Sequence, residues 1–329
     1  MTEALLKVEN LQTQFRTEGG LVKAVDDVSF EVHPGETFAL VGESGCGKSV
    51  TALSIMGLIP SPPGEITGGK IEFDGQDLLK LPSAEMRAIR GSKIGMIFQD
   101  PMSSLNPVLT IQSQLAEPLL IHTDLSKKPA NDRAVELVDM VGIADAPTRM
   151  KQYPHELSGG QRQRIMIAMA MSCTPQLLIA DEATTALDVT IQAQILDLMK
   201  DVTEQSGTAL LIITHNLGIV ARYANRVAVM YAGKMREIGE AVDLYNEPRH
   251  PYTVGLLRSV PRLDDEKGTP LAPIAGEIPD LTQLPEGCAF NPRCKWAVDK
   301  CRQENPLLEQ ISPEKKVACF EHASVSINV

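Results

Sequence analysis

The octapeptide Gly42-Glu43-Ser44-Gly45-Cys46-Gly47-Lys48-Ser49 decides the fold of this chain. It fits the phosphate-loop pattern G-x-x-x-x-G-K-[ST]. The apolar run Thr37–Val41 precedes it, and the residues after Lys48 have helical spacing. A strand, a loop and a helix are therefore predicted in the order that this pattern requires. A glycine-rich turn without a ligand is the alternative interpretation.

The residue types of this loop predict how it would hold a nucleotide. Its glycines let successive backbone N–H groups curl around phosphates, and the helix N-terminus adds a positive dipole end. We expect Lys48 to reach the β and γ phosphates and the Ser49 hydroxyl to bind Mg²⁺. All eight residues are candidate nucleotide-binding positions, although Cys46 lies at a variable position of the pattern and is treated as incidental.

An acidic pair follows a second apolar run, Leu177-Leu178-Ile179-Ala180-Asp181. Because Mg²⁺ prefers hard oxygen ligands, Asp181 at the end of a buried strand is the expected metal ligand. Glu182 would then reach the water that attacks the γ phosphate, as general base or as a water-positioning group. An ordinary pair of helix-capping acids is the alternative.

On either side of these motifs, short apolar runs that predict strands alternate with segments whose apolar residues recur at helical spacing. Segments 5–10 and 24–32 alternate apolar and polar residues as antiparallel strands do, whereas 111–150 has helical spacing. Predicted strands at 177–180 and 209–214 lie on either side of a segment with helical spacing. This alternation predicts an α/β fold with a largely parallel sheet that is covered by helices on both faces. Residues 226–230 and 234–238 are expected to form a closing hairpin.

The amino-acid composition changes near residue 261, where frequent prolines exclude a helix or a central strand. We therefore predict one domain over 1–260, with a helical subdomain at about 100–165, and a second over 261–329. The prolines concerned are Pro261, Pro270, Pro273, Pro279 and Pro285.

Composition excludes several classes of partner. The 42 acidic residues outnumber the 31 basic ones, which argues against binding nucleic acid or an anionic lipid surface. The N-terminus lacks the features of a secretory signal, and no apolar run approaches the roughly 18 to 20 residues of a membrane span. We expect a cytosolic chain that reaches a membrane only through a protein partner, with reduced cysteines.

A second anion-binding helix N-terminus is predicted at Leu157-Ser158-Gly159-Gly160-Gln161. Two such helix ends in one chain suggest a nucleotide held between two protomers. With this motif the sequence resembles the ABC ATPase family, whose signature is LSGGQ, over about residues 5–240. The resemblance implies an ABC cassette: a phosphate-loop NTPase core with an antiparallel β subdomain and a helical subdomain.

The resemblance also implies roles for single residues. Phe15 matches the aromatic that stacks on adenine, Gln99 the Q-loop glutamine that touches Mg²⁺ and senses the membrane partner, and His215 the switch histidine at the γ phosphate. Ala186-Leu187-Asp188 resembles the D-loop at the dimer interface. One departure is Ala183, where the family usually has proline after the catalytic glutamate.

Two further stretches resemble the ATP-binding subunits of dipeptide and oligopeptide importers, a group with relatives for nickel, glutathione or oligosaccharides. They are residues 99–107 and Arg249-His250-Pro251-Tyr252-Thr253. This resemblance implies a different second ATPase subunit, two transmembrane permeases and an extracytoplasmic solute-binding protein, with the chain peripheral on the cytoplasmic face of the inner membrane.

Two other classes fit less well. An ABC ATPase of DNA repair would need a long coiled coil between Ser49 and Leu157, and translation factors carry two cassettes in one chain; neither is found. A catalytically dead regulatory cassette is opposed by the presence of all four candidate catalytic and metal-binding residues, Lys48, Asp181, Glu182 and His215.

Four cysteines follow the proline-rich stretch, at Cys288, Cys294, Cys301 and Cys319. Four thiols so close in sequence could enclose one metal centre, although the C-x-x-C pairs common in zinc ribbons are missing. The peptide-importer resemblance implies a [4Fe-4S] cluster that staples a small Cys-rich C-terminal appendage. Zinc and free structural thiols are the alternatives. Cys173 stands alone and is interpreted as a small buried residue.

Overall fold

The computed structural model describes residues 3–100, 104–184, 188–260 and 273–326. Its strands are β1 (Leu6–Thr17), β2 (Gly20–Val32), β3 (Thr37–Val41), β4 (Gly64–Phe73), β5 (Gln76–Asp77), β6 (Ile94–Ile97), β7 (Leu177–Asp181), β8 (Ala209–Thr214), β9 (Arg226–Tyr231), β10 (Lys234–Glu240), β11 (Glu309–Ser312) and β12 (Lys315–Val317). Its α-helices are α1 (Lys48–Ile55), α2 (Ser83–Ile89), α3 (Ile111–His122), α4 (Lys127–Met140), α5 (Ala146–Arg149), α6 (Gly159–Ala170), α7 (Val189–Ser206), α8 (Leu217–Tyr223), α9 (Ala241–Asn246), α10 (Pro251–Arg258) and α11 (Asp299–Gln303).

The described residues form two compact units. The first contains Glu3, His33–Glu36 and the described part of Lys80–Ile213, and the second contains Ala4–Val32, Thr37–Leu79 and the described part of Thr214–Val329. The phosphate loop belongs to the second unit, and the acidic pair and the signature motif belong to the first. No helix in the described ranges is both long and apolar enough to cross a membrane.

The second unit contains an antiparallel sheet in the order β2-β1-β4-β5, which confirms the antiparallel strands predicted near the N-terminus. Its other strands follow the order β11-β12-β10-β9-β3, with β3 parallel to β9 and the remaining pairs antiparallel. The predicted hairpin is confirmed: β9 and β10 are joined by Ala232 and Gly233, both at positive φ. Strand β3 is apolar, and four of its five residues are buried.

In the first unit, β6, β7 and β8 pair in parallel in that order. Every residue of β7 is buried, as the apolar run predicted. Helices α3, α4 and α5 occupy the segment whose spacing predicted helix. Helix α7 begins at an N-cap, Asp188, whose side chain accepts a hydrogen bond from the Ile191 N–H, and it ends at Gly207 in the left-handed region.

The C-terminal segment packs into the unit that holds the phosphate loop. Strand β12 pairs with β10, and Phe290 and Cys301 share a buried core with Val41 and Tyr231. The domain boundary near residue 260 stays a prediction, and residues 261–272 lie outside the described part of the chain.

Glycines position the phosphate loop. Gly42 has φ +155° and Gly47 has φ +107°, a region that side chains disfavour. A Cβ at Gly47 would collide with the backbone carbonyl oxygen of Ala24 and lie 2.6 Å from the Met230 Cε. A Cβ at Gly45, with φ +78°, would have nothing within 4 Å. The loop backbone therefore lies directly against β2 and β9 at Gly47, and is open at Gly45.

We predict that Gly47→Ala lowers the free energy of unfolding by at least about 2 kcal/mol more than Gly45→Ala. Both variants add a methyl group at positive φ, but only the first forces backbone apart. Urea unfolding of the two full-length proteins measures the difference, and equal midpoints would contradict the close approach at Gly47.

Candidate functional site

Lys48 lies buried at the start of α1, with 4% of its surface exposed. Its Nζ donates hydrogen bonds to the backbone oxygens of Gly42, at 2.9 Å, and Glu43, at 3.0 Å. The ammonium therefore bridges the beginning of the loop to the helix. Ser49 follows on the first turn and is half-buried, while Ser44 and Gly45 are exposed.

Cys46 is packed within the loop, at 1% exposure. Burial raises the pKa of its thiol, which outweighs the opposing effect of nearby Lys48. A neutral, buried thiol fits the prediction that this position is incidental to the chemistry.

Asp181 and Glu182 lie at the carboxyl end of β7, where Asp181 is buried and Glu182 is half-buried. The Glu182 N–H donates to the backbone oxygen of Ile213 at 2.9 Å, and Gln99 Nε2 donates to Glu182 Oε2 at 3.1 Å. Gln99 follows β6, the strand next to β7. The structure thus brings together two predicted catalytic residues that are far apart in sequence.

The backbone of Glu182 is in the left-handed region, at φ +46°. This conformation is unusual for a residue with a side chain and costs about 1–3 kcal/mol. The hydrogen bonds to Ile213 and Gln99 hold it. The Gln99 amide holds one carboxylate oxygen, and Ala183, which stands where the family usually has proline, is buried.

The predicted signature motif forms the start of α6. Ser158 is the N-cap: its Oγ accepts from the Gln161 N–H at 3.3 Å, and Gln161 Oε1 accepts from the Ser158 N–H at 3.0 Å. This capping box leaves Ser158 and Gly159 exposed. A Cβ at Gly160 would lie 3.2 Å from the Ile191 Cγ2, so this glycine allows α7 to approach.

The remaining predicted residues are placed singly. Phe15 is a half-buried residue of β1, paired with Gly64 of β4. His215 is exposed directly after β8. Ala186 and Leu187 of the predicted D-loop lie outside the described residues, as do residues 101–103 of the stretch 99–107.

Sequence reasoning missed two residues that hold the phosphate loop. The Glu43 N–H donates to Tyr252 Oη at 2.7 Å, and the Glu43 carboxylate pairs with the Arg293 guanidinium through contacts of 2.8 and 3.0 Å. Arg293 is 250 positions from Glu43, so no local pattern could have indicated the pair.

The four C-terminal cysteines line one small cavity, together with His250, Phe290 and Trp296. All four are free thiols. Burial raises the pKa of Cys294 to about 11 and that of Cys319 to about 12. Within the described ranges, however, no group of three or more His, Cys, Asp or Glu side chains is arranged to hold a metal ion.

A buried arginine accompanies this cavity. Arg236 is 1% exposed; Nη1 donates to Asn305 Oδ1 at 3.1 Å, while Nε and Nη2 have no hydrogen-bond partner among the described residues. Burial lowers the pKa of Arg236, which lies close enough to Cys288 and Cys319 to interact with them electrostatically.

Two family models match the chain. Residues 25–185 match the ABC transporter family, and residues 236–301 match the oligopeptide/dipeptide transporter C-terminal region.

Curated relatives align over nearly the whole chain. The dipeptide transport ATP-binding protein DppD of Bacillus subtilis (strain 168) is 53% identical and covers 98% of both chains. The oligopeptide transport ATP-binding protein AppD of the same organism is 52% identical, with 96% of each chain covered. A putative peptide import ATP-binding protein of Brucella abortus (strain 2308) is also 52% identical, over 98% of this chain and 99% of its own.

Among solved structures, the ATP-binding cassette MJ0796 in a dimeric post-hydrolysis state bound to ADP and Pi is similar, with a TM-score of 0.64 and 27% identity. The match covers 72% of this chain and 98% of that one. It confirms the predicted ABC cassette fold. The chain therefore belongs to the ABC transporter family of ATP-binding proteins, in the group that carries the oligopeptide/dipeptide transporter C-terminal region.

Proposed function

We propose that this chain hydrolyses ATP to drive uptake of dipeptides or oligopeptides through an ABC importer. The observation that carries the proposal is the end-to-end alignment of the chain with peptide transport ATP-binding proteins. Within one unit Lys48 is hydrogen-bonded to its glycine loop, and within the other Gln99 is hydrogen-bonded to Glu182, which supports it. The relatives indicate the class of transported substrate, and the candidate site residues indicate ATP hydrolysis.

In the proposed mechanism, Phe15 stacks on adenine and the backbone N–H groups of residues 42–49 bind phosphate oxygens. Lys48 offsets the charge of the β and γ phosphates. Ser49, Gln99 and Asp181 would hold Mg²⁺, which offsets further negative charge when bound. His215 contacts the γ phosphate.

Glu182 accepts a proton from the attacking water, or orients that water, while the Gln99 amide holds one of its carboxylate oxygens. The left-handed backbone of Glu182 is the kind of local strain that clusters at catalytic residues.

The exposed start of α6 supports a role across a dimer interface. Ser158, Gly159, Gly160 and Gln161 would bind the nucleotide held by a second, different ATPase subunit, because the helix N-terminus that they form attracts phosphate through its dipole. Closing on ATP and opening after hydrolysis would then drive the transport cycle.

Exposed apolar side chains accumulate in the first unit between Phe98, beside Gln99, and Leu125. Val108 is 75% and Ile121 65% exposed. Exposed apolar side chains that recur within one stretch of sequence are candidates for a protein-binding face. We assign it to the two permeases, which would place the chain peripherally on the cytoplasmic face of the membrane; an extracytoplasmic solute-binding protein would deliver the peptide.

For the C-terminal region, 261–329, we propose an appendage to the 1–260 cassette stapled by a [4Fe-4S] cluster on Cys288, Cys294, Cys301 and Cys319. Two observations support it: the four thiols line one cavity, and Arg236 brings a buried positive charge with two unsatisfied N–H groups beside them. A cluster with four thiolates is anionic and would balance that charge. Bound zinc and free thiols remain the rivals.

Glu182→Gln is expected to retain ATP binding and to hydrolyse ATP at least about a hundredfold more slowly, because the amide is isosteric but cannot accept the proton. Single-turnover hydrolysis measures the effect. Lys48→Ala should instead lose binding. Glu204→Gln, which changes an exposed carboxylate on α7, is the control, and an unchanged rate in Glu182→Gln would refute the assignment.

Ile121→Asp should weaken assembly with the permeases at least about tenfold while ATPase activity of the isolated chain persists, since it places a charge on the proposed docking face. Co-purification with the permeases measures assembly. Leu307→Asp is the matched control because Leu307 is 70% exposed but lies in the other unit. Equal assembly of both variants would place the docking face elsewhere.

Protein purified without oxygen should be brown, with broad absorbance near roughly 400 nm and about four irons per chain. Cys294→Ser should lose the colour and the iron, and Cys173→Ser should keep both, because Cys173 lies in the other unit. Colourless protein with one zinc, or with neither metal, would overturn the cluster.

A further inference from the structure

The second residue of the phosphate loop carries a carboxylate that the C-terminal segment neutralises. Arg293 Nη1 lies 2.8 Å from Glu43 Oε2, and Arg293 Nη2 lies 3.0 Å from Glu43 Oε1. Two parallel hydrogen bonds between a guanidinium and a carboxylate form the strongest and most directional ion pair available to side chains. Both partners belong to the same compact unit.

Arg293 is held in place on its other sides. Only 4% of its side chain is exposed, and its Nε donates to the backbone oxygen of Ala275 at 3.0 Å. Its guanidinium carbon lies 5.8 Å from the ring centroids of both Tyr231 and Phe290. A side chain so constrained can fix the position of its partner.

Glu43 is also held through its backbone. Its N–H donates to Tyr252 Oη, and Tyr252 is fully buried with its ring centroid 4.6 Å from that of Tyr231. Arg293 and Tyr252 therefore hold one loop residue at two points, the carboxylate and the amide. We name these three residues the Glu43 clamp.

The charge of Glu43 matters because the loop must receive phosphates. A carboxylate on such a loop repels an anionic ligand. A buried guanidinium that covers the carboxylate removes most of this repulsion.

We propose that Arg293 is a positioning residue of the nucleotide site: through the Glu43 clamp it neutralises the loop carboxylate and holds it away from the phosphates. The C-terminal segment thereby contributes to ATP affinity. The proposal rests on the proposed function only in assuming that the loop binds ATP.

The test compares Arg293→Gln with the double variant Glu43→Gln/Arg293→Gln in the full-length chain. Arg293→Gln leaves an uncovered carboxylate and should weaken binding of a fluorescent ATP analogue about tenfold. The double variant should recover most of that loss, about fivefold or more, because it removes the repelling charge. Both variants lack the same arginine, so their difference isolates the charge from the packing.

Arg302→Ala, which breaks an exposed ion pair in the same segment, is the control and should bind as wild type does. Lys48→Ala tests the premise separately: if it retains binding, the loop is not the ATP site. If Lys48→Ala loses binding but the double variant is as weak as Arg293→Gln, the role of Arg293 is refuted and the ATP site stands.

Thermal unfolding accompanies each titration. If Arg293→Gln does not fold, Arg293→Lys replaces it, both alone and combined with Glu43→Gln. Lysine keeps the charge but lacks the bidentate fork, so a smaller loss, again relieved by Glu43→Gln, is expected. If Glu43→Gln does not restore binding of the ATP analogue to the Arg293→Lys protein, the proposal is also refuted.

Discussion

The close approach of the phosphate loop to its neighbouring strands is the constraint on which the site depends. At Gly47 the loop backbone lies against the Ala24 carbonyl, and at Gly42 it lies against the Met230 carbonyl. Gly42 directly follows β3, and Gly47 directly precedes α1. The close approach places Lys48 so that its ammonium reaches the carbonyls of the loop. Glycine is required because any side chain would push the loop off the strands.

The phosphate loop could be predicted because the residues that specify it are contiguous in sequence. Eight residues specify the turn, the lysine and the start of the helix that follows. The strands β3 and β7 were equally clear, since both are short apolar runs buried on both faces. The hairpin of β9 and β10 was marked by its Ala232-Gly233 turn. In each case a few neighbouring residues determine the conformation.

Features that depend on distant residues could not be predicted. The short strand β11 has a mostly exposed, polar sequence, and its pairing arises from β12 and not from its own pattern. The Gln99 to Glu182 hydrogen bond requires knowing that β6 and β7 are neighbours. The spacing of the four cysteines suggested a shared site, but not that Arg236 would be buried beside it.

The long separation between Glu43 and Arg293 has a consequence for biosynthesis. The loop is made early, but its arginine partner is 250 residues downstream, and β12, which pairs with β10, follows later still. A nascent chain released before residue 293 would carry a complete glycine loop with an uncovered carboxylate. On the proposed role of Arg293, such a truncated product would bind ATP about tenfold more weakly than the finished subunit.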